Sequence, residues 1–226
     1  MKNLPENVQG VLFDLDGTLL DSAPDLYAAL VEQCAEEHVP VPAYARVREV
    51  VSRGSRAILR TAFAERGESA IESLAPRYLA LYQRVMARET GAFEGVDDLL
   101  TRIESHGMCW GIVTNKPGFL TDELVQRIGW ASRAKAVVSG DTLPVKKPDP
   151  APVLLACEQA GIAPARGVFV GDDRRDVQAG AAAGMITVAV RWGYLDGGDP
   201  STWGADFVIS HPSELADLLQ LQPATA

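Results

Sequence analysis

The chain is short of the residues that staple a fold, bind soft metals or enter a membrane. Only three of its 226 residues are cysteine, Cys34, Cys109 and Cys157, scattered and without C-x-x-C spacing. A disulfide framework and a zinc ribbon are both excluded, and the thiols read as small buried side chains in a reducing cytoplasm. The three histidines, His38, His106 and His211, show no metal-ligand spacing either. No apolar run approaches the ~20 residues of a membrane span. Met1 to Gly10 is polar, with no apolar stretch or cleavage pattern, so no signal peptide is expected. Positive charge is scarce as well: 21 Lys and Arg against 30 Asp and Glu leave a net charge of −9. Neither nucleic acid nor an anionic membrane is an expected partner, and an anionic substrate would need local cations or a metal. Internal repeats and low-complexity segments are missing, and Gln222 to Ala226 reads as a frayed tail.

What is present is apolar surface, 47 % of the residues, enough for one sizeable core or a core with an inserted module. The run Val11 to Phe13 predicts a buried strand, and it ends in Asp14-Leu15-Asp16-Gly17-Thr18, two carboxylates and a turn. From Ser22 the spacing turns helical. Ser22 and Asp25 form an expected capping pair, and Leu26, Ala29, Leu30 and Cys34 lie on one face until Pro40 and Pro42 break it. Tyr44 to Val51, Ser55 to Ala64 and Ile71 to Arg88 read as further helices, the last expected to break at Pro76. Nothing from Asp21 to Thr90 alternates like a strand.

After Gly95 strands and helices alternate. Strands are expected at Cys109 to Val113, Ala136 to Val138, Gly167 to Val170, Thr187 to Val190 and Phe207 to Ile209. The helices between and after them are Val96 to Ser105, Leu120 to Ile128, Pro150 to Ala160, Asp176 to Ala183 and Ser213 to Leu219. That alternation implies a Rossmann-like, doubly wound parallel sheet. Residues 1–20 and 91–226 form the expected α/β core, and 21–90 an all-helical insertion.

In such sheets ligands bind beyond the carboxyl ends of the strands. Those ends carry Asp14 and Asp16, Thr114 and Asn115, Lys146 and Lys147 before Pro148, and Asp172, Asp173 and Asp176. Singly, each is a common turn or helix-start feature. Together they can converge on one crevice. Two neighbouring carboxylates repel, so a cation beside them is expected.

The order D-x-D-G-T, strand-end Thr, Lys before Pro, then G-D with a further Asp resembles the haloacid dehalogenase-like phosphohydrolases over essentially the whole chain. V-T-N-K-P, K-K-P-D-P and V-G-D-D-R-R-D-V-Q-A-G make it most similar to the phosphoglycolate phosphatase branch, whose helical cap of the C1 type follows the first motif. The resemblance implies a Mg²⁺-dependent phosphomonoesterase acting on a small phosphorylated metabolite, as a monomer or homodimer. Asp14 would be the nucleophile that forms an aspartyl-phosphate. Asp14 and Asp172, with the Asp16 backbone carbonyl, would hold Mg²⁺. The Asp16 side chain would serve as general acid and then base. Thr114 and Lys147 would stabilise the phosphoryl oxygens, Lys147 rather than Lys146 because the family's lysine directly precedes the proline. Asp176 would orient a metal-bound water or Lys147, with Asn115 and Asp173 nearby. Three alternatives stay open: a phosphomutase on the same core, a receiver-like phospho-Asp signalling domain, and a scaffold without catalysis. The second Asp argues against dehalogenase chemistry. The long insertion and the first-strand Asp argue against a receiver.

The insertion is expected to choose the substrate. Arg53-Gly54-Ser55-Arg56 is its candidate anion-binding segment, with either arginine able to bind bidentately. Arg191-Trp192-Gly193-Tyr194 is a second candidate wall of the site. S-R-G-S-R-A, C-W-G-I-V-T-N-K-P and the segment from Trp192 to Leu215 are also similar to the N-acetylmuramic acid 6-phosphate phosphatases, which makes an amino-sugar phosphate the alternative substrate to phosphoglycolate.

Overall fold

A computed structural model describes residue 4 and residues 7–222. Most of the polar start and the tail from 223 onwards lie outside the described residues. The sheet is built around β1 (Gly10–Phe13), whose four residues are all buried. It pairs in parallel with β4 (Cys109–Val113) on one side and β6 (Gly167–Gly171) on the other. Between β1 and β4 the chain passes through β2 (Leu20–Asp21), α1 (Ala23–Glu36), α2 (Tyr44–Arg48), α3 (Ser55–Phe63), α4 (Glu68–Val85), β3 (Gly91–Ala92) and α5 (Val96–Ser105). Beyond β4 come α6 (Gly118–Ile128), β5 (Val137–Val138) and α7 (Ala151–Ala160), and beyond β6 come α8 (Arg174–Ala182), β7 (Ile186–Val190), β8 (Phe207–Ile209) and α9 (Pro212–Leu218). The order across the sheet is β5-β4-β1-β6-β7-β8, all parallel.

Strand periodicity explains how both faces are covered. Successive side chains of β1 point to opposite sides, so Val11 and Phe13 pack in one apolar cluster and Leu12 in another. The Leu12 side is closed by Val153, Ala156 and Cys157 of α7 and by Ala179 of α8. The Val11 side is closed by α5, α6 and α9, and the cluster runs on into the helical insertion through Leu26, Leu30, Tyr78 and Tyr82. A strand buried on both faces reads as a continuous apolar run. Among the described residues, no helix is long and apolar enough to cross a membrane.

Helices α1 to α4 leave and rejoin the core through a short antiparallel ribbon, Leu20 paired with Ala92 and Asp21 with Gly91. Two-residue strands are too short to show alternation, so this ribbon leaves no periodic signal in the sequence.

Two local expectations are corrected. Pro76 does not break its helix: α4 is continuous from Glu68 to Val85 with the proline inside it. Pro76 and Glu72, whose carbonyl loses the bond, are exposed, so water can satisfy it, while Ile71, Leu74, Ala75, Tyr78 and Leu81 anchor the helix on both sides. Nor do Ser22 and Asp25 cap α1. Ser22 makes no side-chain cap bond and donates instead to Asp16 Oδ1 at 2.6 Å. Buried Asp25 accepts from the backbone N–H groups of Arg88, Glu89 and Thr90 and from the Thr90 hydroxyl, tying the start of α1 to the chain's return. Pull from a distant, otherwise unsatisfied set of donors outweighs the local cap.

Candidate active site

Parallel pairing of β4, β1 and β6 sets Thr114, Asp14 and Asp172 side by side at the carboxyl end of the sheet. The Asp14 N–H bonds the Val170 carbonyl at 2.9 Å, so the first acidic residue is still held in strand geometry. The chain then turns at Gly17, with φ +90°, where a Cβ would lie 2.1 Å from Asp172 Oδ2. Only glycine tolerates both the backbone and that approach.

Lys147 organises the acidic groups. Its Nζ donates to Asp14 Oδ1 at 2.7 Å and to the Val113 carbonyl at 2.6 Å, and it pairs with Asp176 Oδ1 at 2.7 Å, which uses all three ammonium protons. Asn115 aims it from the strand end: its amide donates to the Lys147 carbonyl at 3.0 Å and its oxygen accepts the Lys147 N–H at 3.1 Å. Burial pulls this ammonium towards neutrality, but Asp14 and Asp176 outweigh it, and its pKa is pushed up to about 12. Neighbouring Lys146 is exposed and remains at the cavity rim.

Asp172 is completely buried. It accepts from the Thr18 hydroxyl at 2.9 Å and the Tyr194 N–H at 2.8 Å. Burial first, then Asp14 and Asp176, push its pKa well up. Asp176 is pushed up to about 7, chiefly by burial, with Lys147 pulling the other way. Carboxylate oxygens of Asp14, Asp172 and Asp176 lie within 4.8 Å of one another. Three converging carboxylates with one ammonium among them carry excess negative charge, and their oxygen donors suit a hard divalent cation such as Mg²⁺. Asp176 therefore belongs beside Asp14 and Asp172 as a possible ligand, a role its spacing did not suggest.

Asp173 is the N-cap of α8 in a reciprocal box with Asp176: it accepts from the Arg175 N–H at 2.8 Å, and its own N–H donates to Asp176 Oδ2 at 3.0 Å. Thr114 is buried, and its oxygen accepts the Lys116 N–H at 3.2 Å, leaving the hydroxyl proton to be donated into the cavity it lines.

That cavity, of about 390 Å³, lies between the sheet's edge and the insertion. Its acidic floor faces Leu26, Val51, Ile58 and Leu79 of the insertion, with Arg53, Gly54 and Arg56 along one side. Neither arginine is at liberty. Arg53 is ion-paired to Asp196, and Arg56 is bidentate on Glu72, with Nη2 at 2.7 Å from Oε2. The Arg191 to Tyr194 segment is not part of the cavity wall. Tyr194 braces Asp172 from behind, its hydroxyl donating to Asp21 at 2.6 Å and accepting the Ala23 N–H at 2.9 Å, while the Trp192 indole donates to the Thr18 carbonyl at 3.0 Å. A Cβ at Gly193 would come within 2.3 Å of Asp172 Cβ.

Three site residues escaped sequence reasoning. Lys116 reaches back to Asp16 and contacts both carboxylate oxygens at 3.1 Å. Tyr82 of α4 accepts from the same ammonium at 3.0 Å. Arg175 bonds both Asp173 and the Ser52 carbonyl, at 2.7 Å each, and so ties core to insertion. Lys116 stands inside the T-N-K-P run, but no local pattern says where its ammonium goes. His38, His106 and His211 stay outside the site, and His211 caps α9.

Residues 11–190 match the family model described as haloacid dehalogenase-like hydrolase. The chain belongs to this family. It is 45 % identical to a phosphoglycolate phosphatase of Xanthomonas campestris over 208 residues, covering 92 % of this chain and 94 % of that one. It is 44 % identical to an N-acetylmuramic acid 6-phosphate phosphatase of Pseudomonas aeruginosa over 214 residues, covering 94 % and 95 %. Among solved structures, one from Haemophilus somnus described as a predicted phosphoglycolate phosphatase has the same fold, with TM-score 0.85 at 23 % identity and coverage of 94 % and 98 %. This hydrolase is thus similar to relatives bearing two different substrate names.

Proposed function

We propose that this hydrolase is a phosphomonoesterase that cleaves a small phosphorylated metabolite through an aspartyl-phosphate on Asp14. The observation that carries the reading is Lys147, bonded at once to Asp14, Asp176 and Val113, beside a buried Asp172. Asp14 attacks phosphorus as the bond to the leaving oxygen breaks. Asp16 gives a proton to that oxygen, then takes one from the water that cleaves the aspartyl-phosphate and restores Asp14. Lys147 and the Thr114 hydroxyl stabilise charge on the phosphoryl oxygens, and Asn115 keeps Lys147 aimed. Asp14, Asp172 and Asp176, with the Asp16 carbonyl, would hold Mg²⁺, which when bound supplies charge neutralisation for the phosphoryl group. Core residues 1–20 and 91–226 carry this chemistry, the insertion 21–90 acts as the cap, and the cytoplasm is its compartment. Mg²⁺-dependent release of phosphate from an aryl ester tests the reading. Undiminished turnover in excess chelator would sink it.

A second reading concerns the leaving group. One relative is named for phosphoglycolate, the other for N-acetylmuramic acid 6-phosphate. The larger, amino-sugar ester is favoured by a cavity of about 390 Å³ with an apolar upper wall. A two-carbon acid would leave that wall bare. Side-by-side kcat/KM on both esters decides, and a preference for phosphoglycolate removes this second reading alone.

A further inference from the structure

The two aspartates of the D-x-D motif each have their own lysine. Lys147 holds Asp14 from within the core, whereas Lys116 holds Asp16 and also reaches out of the core to Tyr82. The Lys116 side chain is 6 % exposed, and its three protons face Asp16 Oδ1, Asp16 Oδ2 and Tyr82 Oη at 3.1, 3.1 and 3.0 Å. Its Nζ also lies 4.5 Å from the centroid of the Tyr82 ring. Tyr82 is fully buried and belongs to α4 of the insertion. Ser22, at the foot of α1, grips Asp16 Oδ1 from the other side at 2.6 Å. Asp16 is thus held by one group at the hinge and by another whose remaining bond is to the cap.

We propose that Lys116 is a positioning residue that aims the Asp16 carboxylate and, through its bond to Tyr82, makes that aim depend on the cap being seated over the core. With Tyr82 withdrawn, Lys116 keeps its charge but loses its third partner and its ring face, and the Asp16 carboxylate gains freedom to rotate. The aim matters for proton transfer, which needs the acid within hydrogen-bond reach of the leaving oxygen. The inference rests on the proposed acid and base role of Asp16.

The test varies the leaving group. An alkyl phosphate needs its leaving oxygen protonated, whereas 2,4-dinitrophenyl phosphate does not. On the alkyl ester, Lys116→Met is expected to lower kcat/KM by roughly thirtyfold or more. On the dinitrophenyl ester kcat/KM is expected to stay within about threefold, with kcat and KM falling together because water activation is slowed after the phosphoryl group has transferred. Lys116→Arg should recover most of the alkyl rate, and in an Asp16→Asn background Lys116→Met should cost less than about twofold. Equal losses of kcat/KM on the two esters, or full additivity with Asp16→Asn, would overturn the proposal. If Lys116→Met does not fold, Tyr82→Phe decides. It keeps the ring and its packing, and is expected to lower kcat/KM about threefold to tenfold on the alkyl ester alone. Wild-type rates there would overturn the link to the cap. Failure of the underlying reading has a separate signature: turnover that survives Asp14→Asn or chelation in the otherwise wild-type protein.

Discussion

The strand ends of the core and the helical insertion both carry ion pairs, and they use them in opposite ways. At the strand ends Lys147 and Lys116 are buried, the first serving Asp14 and Asp176 and the second Asp16, all of which line the cavity. In the insertion, Arg56 with Glu72, Arg60 with Glu68, Arg66 with Glu37, Arg77 with Glu36 and Arg84 with Glu32 are all exposed and pair within the insertion. Exposed pairs contribute about 0–1 kcal/mol each, while removing one partner of a buried pair costs about 3–5 kcal/mol. Ion pairs, Lys with Asp at the strand ends and Arg with Glu on the insertion, thus hold reactive groups in one place and dress helices in the other. Burial, not the presence of charge, separates the two uses.

The largest expected effect lies at Asp14. Asp14→Asn should reduce turnover of any phosphate ester by at least about ten-thousandfold, as loss of a nucleophile does. Because Asp14, Asp172 and Asp176 crowd one another, the variant should still unfold cooperatively near the wild-type temperature. Near-wild-type activity would move the nucleophile elsewhere.

Next comes the cation. Chelation should remove turnover, and Mg²⁺ at a hundredfold excess over its Kd should stabilise the protein by about 2.7 kcal/mol, or roughly 5–10 °C in Tm for a chain of this size. The increment should grow as pH rises towards and past 7. Asp176, pushed up to about 7, must lose its proton before it can accept a cation. Asp172→Asn should abolish the shift in a thermal melt. A shift that persists in that variant would place the cation outside the strand-end carboxylates.

Lys147→Met should slow catalysis by about 10²–10³-fold and, by leaving Asp14 and Asp176 uncompensated, destabilise the metal-free protein by about 3–5 kcal/mol. Kinetics and denaturant titration of the one variant measure both. A rate loss without a stability loss would mean that Asp176 takes up a proton to compensate.

The smallest effect belongs to the insertion. A cap arginine that bound substrate would lose about 1.5–3 kcal/mol on truncation, roughly ten- to a hundredfold in binding. Arg56 is instead half exposed and bidentate on Glu72. Arg56→Ala is therefore expected to change kcat/KM by less than about threefold on small and large esters alike, and stability by less than about 1 kcal/mol. A selective tenfold loss on the physiological ester would show that Arg56 leaves Glu72 for the substrate, and would blur the contrast between the two regions.

How much of this was legible in the chain depends on the range of the interaction. Alternation and apolar runs record which way each side chain points relative to its neighbours, and so the order of strands and helices could be read directly, down to Val96–Ser105 and Cys109–Val113. So could the strand-end positions of Asp14, Thr114 and Asp172, because a parallel sheet puts its carboxyl ends together whatever the loops do. Pro76 and the Ser22–Asp25 cap went the other way: buried packing carried the helix through the proline, while Ser22 turned to Asp16 and Asp25 to the Thr90 return. What the sequence by itself determined is the α/β core, the inserted helices and the strand-end set of reactive groups. The partner of each charge was decided only by tertiary structure. Lys147 meets Asp14 across 133 residues and Lys116 meets Asp16 across 100, while Arg53 and Arg56 turn from the cavity to Asp196 and Glu72. An ammonium that loses water must take the carboxylates that packing brings within about 3 Å, and no local periodicity records that distance.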